Sequence, residues 1–389
     1  MKLCTSKTSR ALTSNMVIKE KSGKVMKASK VFAFCIEYMK DKLFKTLQGA
    51  IKNVAENDIK WVLTVPAIWN DQARQFMIHT AEKAGIAKQK LSLALEPESA
   101  AICCRYINVE KSRSTELKTI DENTKFMVVD FGGGTVDITV SQLLPTGQLK
   151  QMYSAIGGPW GGNVINDTIL ETFKEVIGSD EMAKFQDKDF DSYLELEKNI
   201  EQRKRSYGLN FDADFKLEIP HYIGKSITIN DKYKDLVHYR KEKIFFSSGL
   251  MKEIYRSSID PVIKCVDEML SKREALGVSS ILLVGGYSSS EFVRNVFEEK
   301  YKEKFDIRFP LHPDMIVLKG AIITGHTKEA IVGRVAKYHY GFALRSKNIC
   351  GRKISIDTEE TKKFCSFITK GQIINVGQIV SEYEIKLEA

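Results

Sequence analysis

At 389 residues the chain is long enough for roughly two or three domains with sizeable cores, and 43% hydrophobic with 28% charged residues is an ordinary globular composition. Its net charge of +9 comes from 59 basic residues mixed with 50 acids along the whole length, the pattern of a solvated surface and not of a nucleic-acid-binding module. No run of about 18 apolar residues could span a membrane, the N-terminus lacks the apolar stretch of a signal peptide, and seven dispersed cysteines without a C-x-x-C pair argue against a disulfide framework or a zinc site.

Residues 1 to about 28 are basic and rich in Ser and Thr, and residues 17–26 can pair as a short hairpin. From Lys30 to Leu47, Val31, Phe34, Cys35, Tyr38, Met39, Leu43 and Leu47 recur at helical spacing and predict an amphipathic helix. Lys60 to Val65 predicts a strand closed by Pro66, and Asn70-Asp71 can cap a helix running to Gly85. A strand over Leu91 to Leu95 leads into Glu96-Pro97-Glu98, read as a turn, and a helix from Ser99 to Tyr106. Within it Cys103 and Cys104 read as small apolar filler. The polar stretch from Asn108 to Thr124 reads as a surface loop.

The most informative stretch runs from Phe126 to Val140: an apolar run ending in Asp130-Phe131, then Gly132-Gly133-Gly134-Thr135, then alternating Thr and branched residues. It predicts a strand, a tight turn and a second strand. Consecutive glycines let backbone amides approach a bound anion closely, and Thr135 adds a hydroxyl donor, so the turn suits phosphate. A Walker loop or a dinucleotide fingerprint would need the glycines to open a helix. Asp130 and Asp137 are oxygen donors of the kind a partly hydrated Mg²⁺ prefers. Taken alone, three glycines fit an ordinary hairpin equally well.

Beyond the hairpin, Ile156-Gly157-Gly158-Pro159-Trp160-Gly161-Gly162-Asn163 precedes a helix from Val164 to Val176. A charged helix from Asp191 to Tyr207 places Glu201, Lys204 and Arg205 on one face, which by spacing alone is a solvated ion-pair face. Short alternating runs from Phe215 to Ile229 predict a small sheet, and Met251 to Leu276 a helix breaking near Pro261. Ser280 to Val284 reads as a buried strand, followed by Gly285-Gly286, capping residues and an amphipathic helix, a natural seat for a polar ligand. From Ile331 onward the runs are short and β-like.

In this order the motifs resemble the actin, sugar kinase and heat shock protein 70 superfamily, Asp130 to Asp137 being similar to its second phosphate motif. The pairing of Val62 to Gln75 with Glu96 to Ile102 resembles the heat shock protein 70 branch. Pro159-Trp160-Gly161-Gly162, Trp61 and Ala67 to Asn70 resemble its divergent heat shock 70 kDa protein 12 subgroup. The likeness covers about residues 60–335 and implies an α/β, actin-like ATPase fold with two lobes around a nucleotide cleft. It divides the chain into a partial first lobe (1–124), a second lobe (125–335) with an inserted subdomain (164–248), and the opening of a C-terminal β module (336–389).

The same resemblance implies ATP or ADP with Mg²⁺ as cofactors. Gly132, Gly133, Gly134 and Thr135 would hold phosphate, and Asp130 and Glu96 would hold Mg²⁺ through water and form the catalytic set with Thr135. Gly157, Gly158, Glu201, Lys204, Arg205, Gly285, Gly286, Ser289 and Asp314 would surround the nucleotide. The implied role is a cytoplasmic, stress-related, ATP-binding chaperone whose partners are protein clients or co-chaperones, without nucleic acid or a membrane span.

Departures from the family pattern bear on this. Ser289 stands where the family commonly has Arg, and no Asp-x-Gly-Thr-Thr hairpin occurs before Trp61. Lys2, Lys7, Lys19 and Lys21 are candidates for the family's catalytic Lys, and none lies in a motif. The first lobe is thus expected to be incomplete and hydrolysis is left unassigned. Three lost charge-assisted hydrogen bonds of ~1.5–3 kcal/mol each would move ATP binding from micromolar towards about millimolar. A non-hydrolytic nucleotide-binding scaffold and a sugar kinase-like member of the superfamily are the alternatives.

Overall fold

The computed structural model describes residues 16–20, 23–106, 109–111, 117–118, 120–207, 213–219, 223, 229, 231–327, 330–344 and 363–380. Lys2, Lys7 and Lys21, part of the stretch expected to form the small sheet, and the last predicted β-like run lie outside them.

The first lobe opens with the expected hairpin of β1 (Val17–Lys19) and β2 (Val25–Lys27). Helix α1 (Ala28–Ala50) follows, then β3 (Trp61–Val65), α2 (Asp71–Lys83), β4 (Leu91–Leu95) and α3 (Glu96–Tyr106). The Asn70 side chain accepts a hydrogen bond from the Ala73 amide at 2.9 Å, so the cap read from sequence is made. β3 and β4 pair in parallel, and Ala33, Ile36, Met77 and Ala81 pack α1 and α2 against them. Glu96-Pro97-Glu98 is not a turn. It is the first turn of α3, where the missing Pro97 amide has no intrahelical partner to lose.

The polar stretch after α3 is more than a loop, since it contributes β5 (Val109–Lys111) and β6 (Leu117–Lys118) to a sheet edge. The central hairpin is β7 (Lys125–Phe131) and β8 (Val136–Leu143), extended by β9 (Leu149–Gly158), a strand the periodicity did not reveal. Helices α4 (Asn163–Ile177), α5 (Ser179–Lys188) and α6 (Phe190–Tyr207) follow, of which α5 was also unforeseen. The small sheet is built from β10 (Phe215–Glu218), β11 (Val237–Arg240) and β12 (Lys243–Phe246), so it draws on residues beyond those first assigned to it.

Helix α7 (Ser248–Leu270) passes straight through Pro261. Packing of Ile254, Tyr255, Ile259, Val262 and Val266 into the core outweighs the one hydrogen bond proline removes. The chain continues through β13 (Val278–Val284), α8 (Glu291–Tyr301), β14 (Asp306–Pro310) and α9 (Ile316–His326). It then forms β15 (Ile331–Val335), β16 (Tyr340–Leu344), β17 (Lys363–Ile368) and β18 (Ile373–Asn375).

The main sheet has the order β18-β15-β9-β8-β7-β13-β14-β5-β6. β9, β8 and β7 form an antiparallel meander, and β13 and β14 continue it in parallel. Parallel strands need cover on both faces. Here Met127, Val129 and Phe131 face the large core with α4 and α7, while Phe126 and Val128 face α3 and α9. α9 crosses α3 so closely that a Cβ at Gly320 would strike the Ser99 carbonyl. Cys103 and Cys104 are fully buried between these layers, as the filler reading requires. β15 and β18 lie on the free side of β9, and β16 and β17 pair as a separate hairpin. Among the described residues no helix is long and apolar enough to cross a membrane.

Candidate functional site

Four residues join β7 to β8, and Gly132 closes the turn by donating to the Thr135 carbonyl at 3.0 Å. The register then puts Asp130 and Asp137 directly opposite one another. Like charges facing across a strand pair repel, and both side chains are buried. Burial first, and the Asp137 charge second, push the Asp130 carboxyl up to about 7. Burial pushes Asp137 up to about 6, against the pull of hydrogen bonds from the Ile68 amide (2.8 Å), the Thr135 hydroxyl and the Ala67 amide, and the Lys337 charge.

Glu96, at the start of α3, is half-buried beside them. Burial, then Asp130 and Asp137, hold its carboxyl well above the usual range. Two lobes thus deliver three oxygen-donor side chains to one water-poor place. A divalent cation would offset the burial that raises all three carboxyls and the repulsion that adds to it at Asp130 and Glu96. Among the described residues no three acidic, His or Cys side chains converge tightly enough to hold a metal directly. An ion here would keep part of its water shell, as Mg²⁺ does.

The glycine turn is docked, not free. Its Gly132 and Gly133 carbonyls accept from the Gly162 and Asn163 amides at 3.1 and 2.8 Å, at the start of α4. The approach is so close that a Cβ on Gly161 would stand 2.6 Å from both carbonyls. The Gly133 and Gly134 amides donate to no main-chain carbonyl among the described residues, and Gly133 is exposed. Gly157 and Gly158, at the end of β9, pair with Asp137 and Val136, so they line the same end of the sheet.

A second set approaches from β13. Gly285 sits at φ +84°, and a Cβ there would collide with Asp130 Oδ1 and the Phe131 carbonyl, so only glycine fits. Its amide donates to the Pro313 carbonyl at 3.1 Å, which brings Asp314 beside Gly286. Gly286, Ser289 and Asp314 are exposed and form a rim.

The third set, on α6, is held from inside. Glu201 accepts from Lys204 Nζ and Asn166 Nδ2, both at 2.6 Å, and from Arg205 Nε at 2.7 Å. These partners outweigh its burial and hold the carboxyl down at about 2. Lys204 also donates to the Gly162 carbonyl at 3.0 Å and is buried, so it is no solvated surface lysine. Arg205 is exposed. The three sets are therefore contiguous: the glycine turn meets α4 at Gly162, Gly162 meets α6 at Lys204, and Gly285 presses on Asp130.

Sequence reasoning missed the residues that tie this cleft to the rest of the molecule. Ile68 donates to Asp137 through its amide, and its carbonyl accepts from Lys337 Nζ at 2.6 Å, just past β15. Glu98 in α3 takes a two-pronged pair from Arg334 in β15, both bonds 2.9 Å. No motif announces these contacts, although the opposition of Asp130 and Asp137 is readable from the length of the turn.

Comparison with known proteins adds a family. The model described as Hsp70 protein matches residues 1–336. The chain is 26% identical to heat shock 70 kDa protein 12A of Mus musculus over 440 aligned residues, covering 96% of this chain and 65% of that protein. It is 25% identical to the human heat shock 70 kDa protein 12B, over 88% of this chain and 59% of the relative. Chaperone protein dnaK of Cyanidium caldarium is 23% identical, over 88% of this chain and 52% of its own length. The chain thus spans less than two thirds of the length of these relatives.

Proposed function

The chain belongs to the Hsp70 family, and we propose that its cleft binds Mg–ATP and Mg–ADP. The observation that carries this reading is the buried opposition of Asp130 and Asp137 beside Glu96 at the foot of a glycine turn. An arrangement that raises three carboxyls is a standing cost to the fold, and a bound cation offsets it. Asp130 and Glu96 would hold the hydrated Mg²⁺, which screens the phosphate charge. The Gly133 and Gly134 amides would meet phosphate oxygens. Gly285, Gly286, Ser289 and Asp314 would face the nucleoside, with the Glu201, Lys204 and Arg205 group on the opposite wall. The biological role proposed to accompany this binding is that of a stress-related chaperone, a reading supported by the names of the relatives, and we propose the cytoplasm as its location.

A second reading is a nucleotide sensor that signals without hydrolysis. It is favoured by the contacts Glu98–Arg334 and Lys337–Ile68, which connect the cleft to the segment after β15 and would give binding alone a structural output.

Calorimetric titration of the 389-residue chain with Mg–ATP and Mg–ADP tests the site. The expected result is saturable binding that requires Mg²⁺ and is lost in Asp130→Ala and Thr135→Ala. A folded chain that takes up no nucleotide at millimolar concentration would sink the proposal. Single-turnover assay of bound ATP separates the readings, since measurable ADP formation excludes the purely sensing one.

A further inference from the structure

Asn166 lies near the start of α4, and no sequence feature marks it. Its Nδ2 donates to Glu201 Oε2 at 2.6 Å, the same oxygen that accepts from Lys204 Nζ. Glu201 is ionised and can only accept, which fixes the amide with Nδ2 towards it and Oδ1 away. That Oδ1 is buried and has no hydrogen-bond partner.

For stability alone the residue is badly placed. A buried acceptor without a donor is costly, and asparagine is a weaker helix former than leucine, whose side chain has nearly the same shape. Half-satisfied buried amides are rare and call for an explanation. The satisfied half supplies one. α4 is the helix whose start grips the glycine turn, through the Gly162 and Asn163 amides. Asn166, three residues further on, carries that hold across to α6, so that Glu201 is tied to the same helix as the turn. Lys204 and Arg205 reach Glu201 from its own helix; among the described residues Asn166 is the partner from another element.

We propose that Asn166 is a positioning residue for nucleotide binding: out of contact with the ligand itself, it sets Glu201 in place on the nucleoside wall. The proposal rests on the nucleotide reading of the cleft and adds the residue that holds one wall in register with the phosphate turn.

Titration calorimetry of the full 389-residue chain with Mg–ATP tests it, in the wild type, Asn166→Leu, Glu201→Ala and the double variant. Asn166→Leu keeps the shape and removes the donor, and Glu201 retains Lys204, Arg205 and partial access to solvent. Binding is therefore expected to weaken about tenfold while the thermal unfolding midpoint stays the same or rises. Because Asn166 acts through Glu201, adding Asn166→Leu to Glu201→Ala is expected to change the affinity by less than about twofold more. Unchanged affinity in Asn166→Leu, a fall in its unfolding midpoint alongside the loss of binding, or losses that multiply in the double variant would each overturn the proposal alone. A wild-type chain that takes up no nucleotide would overturn the reading of the cleft, and the proposal with it.

Discussion

In the second lobe β7 is buried at every position after Lys125, whereas in the first lobe the parallel strand β3 is fully buried only at Val65. The second lobe covers both faces of a wide sheet; β3 and β4 form a two-stranded pair with α1 and α2 packed on them and α9 lying against β3, where Gly325 meets Val62. The outer face of α1 leaves Phe34, Tyr38, Met39 and Leu43 about half exposed or more. A parallel pair is stable to the extent that its faces are covered. The contrast teaches that the cleft has one firm wall and one held in place largely by its neighbour, through Ile68–Asp137, Glu98–Arg334 and Lys337–Ile68.

The largest expected effect strikes the firm wall. Phe131 is fully buried, edge-on to Tyr287 and Phe297 at 5.8 and 5.6 Å. Phe131→Ala should cost about 3–5 kcal/mol in denaturant unfolding. A loss under about 1 kcal/mol would break the claim that this lobe is the close-packed one.

Next come the contacts between the lobes. Glu98→Ala removes a buried carboxylate from its two-pronged pair and should cost about 1–2 kcal/mol. Its signature is local: hydrogen exchange should speed up in β3 and β4 and stay unchanged in β7 and β13. Uniform acceleration would mean that the lobes open together.

The carboxylate pair supplies a smaller effect of opposite sign. Asp130 and Asp137 have folded-state values raised from 3.8 to about 7 and about 6, so their stabilising contribution is full below about pH 4 and is lost as pH rises through 6–7. Glu201, held down at about 2, acts in the other direction, its contribution being present above about pH 4.5 and lost as pH falls towards 2. Between pH 5 and 7.5 the melting temperature should therefore decline, and Asp130→Asn should flatten the decline and raise the melting temperature at pH 7.5 by roughly 2–4 °C. The same variant should lose Mg–nucleotide binding. A variant that melts lower at pH 7.5 would contradict the repulsion argued for this pair.

The smallest effect belongs to the exposed face of the first lobe. Tyr38→Ser should change unfolding by less than about 0.5 kcal/mol, because the ring is 66% exposed.

Much of this was legible from local pattern. The Asn70 cap located α2, and the apolar run and alternation around three glycines located β7 and β8, because each depends on neighbours a few positions apart; helical spacing also located α1, but the stripe that marked it, Phe34, Cys35, Tyr38, Met39 and Leu43, faces outward while Ala33 and Ile36 are buried. The Asp130–Asp137 opposition also follows from the length of one turn. Two readings failed where context outweighed a local rule: Pro97 sits inside a first helical turn, and Pro261 is carried by a helix whose other face is deeply packed. The strand Leu149–Gly158 alternates weakly because both of its faces are partly covered.

The sequence by itself determined the order of elements, the glycine turn and the acids flanking it, and the motif order pointed to a family. Only the tertiary structure decided that Lys204 is an internal cation, that Gly285 is pressed against Asp130, and that a lysine 269 positions from Ile68 grips its carbonyl. Such contacts arise from the packing of layers whose separation along the chain carries no periodic signal. Electrostatics follows the same division, since the residue type fixes which groups can ionise but burial and neighbours set how strongly each holds its proton.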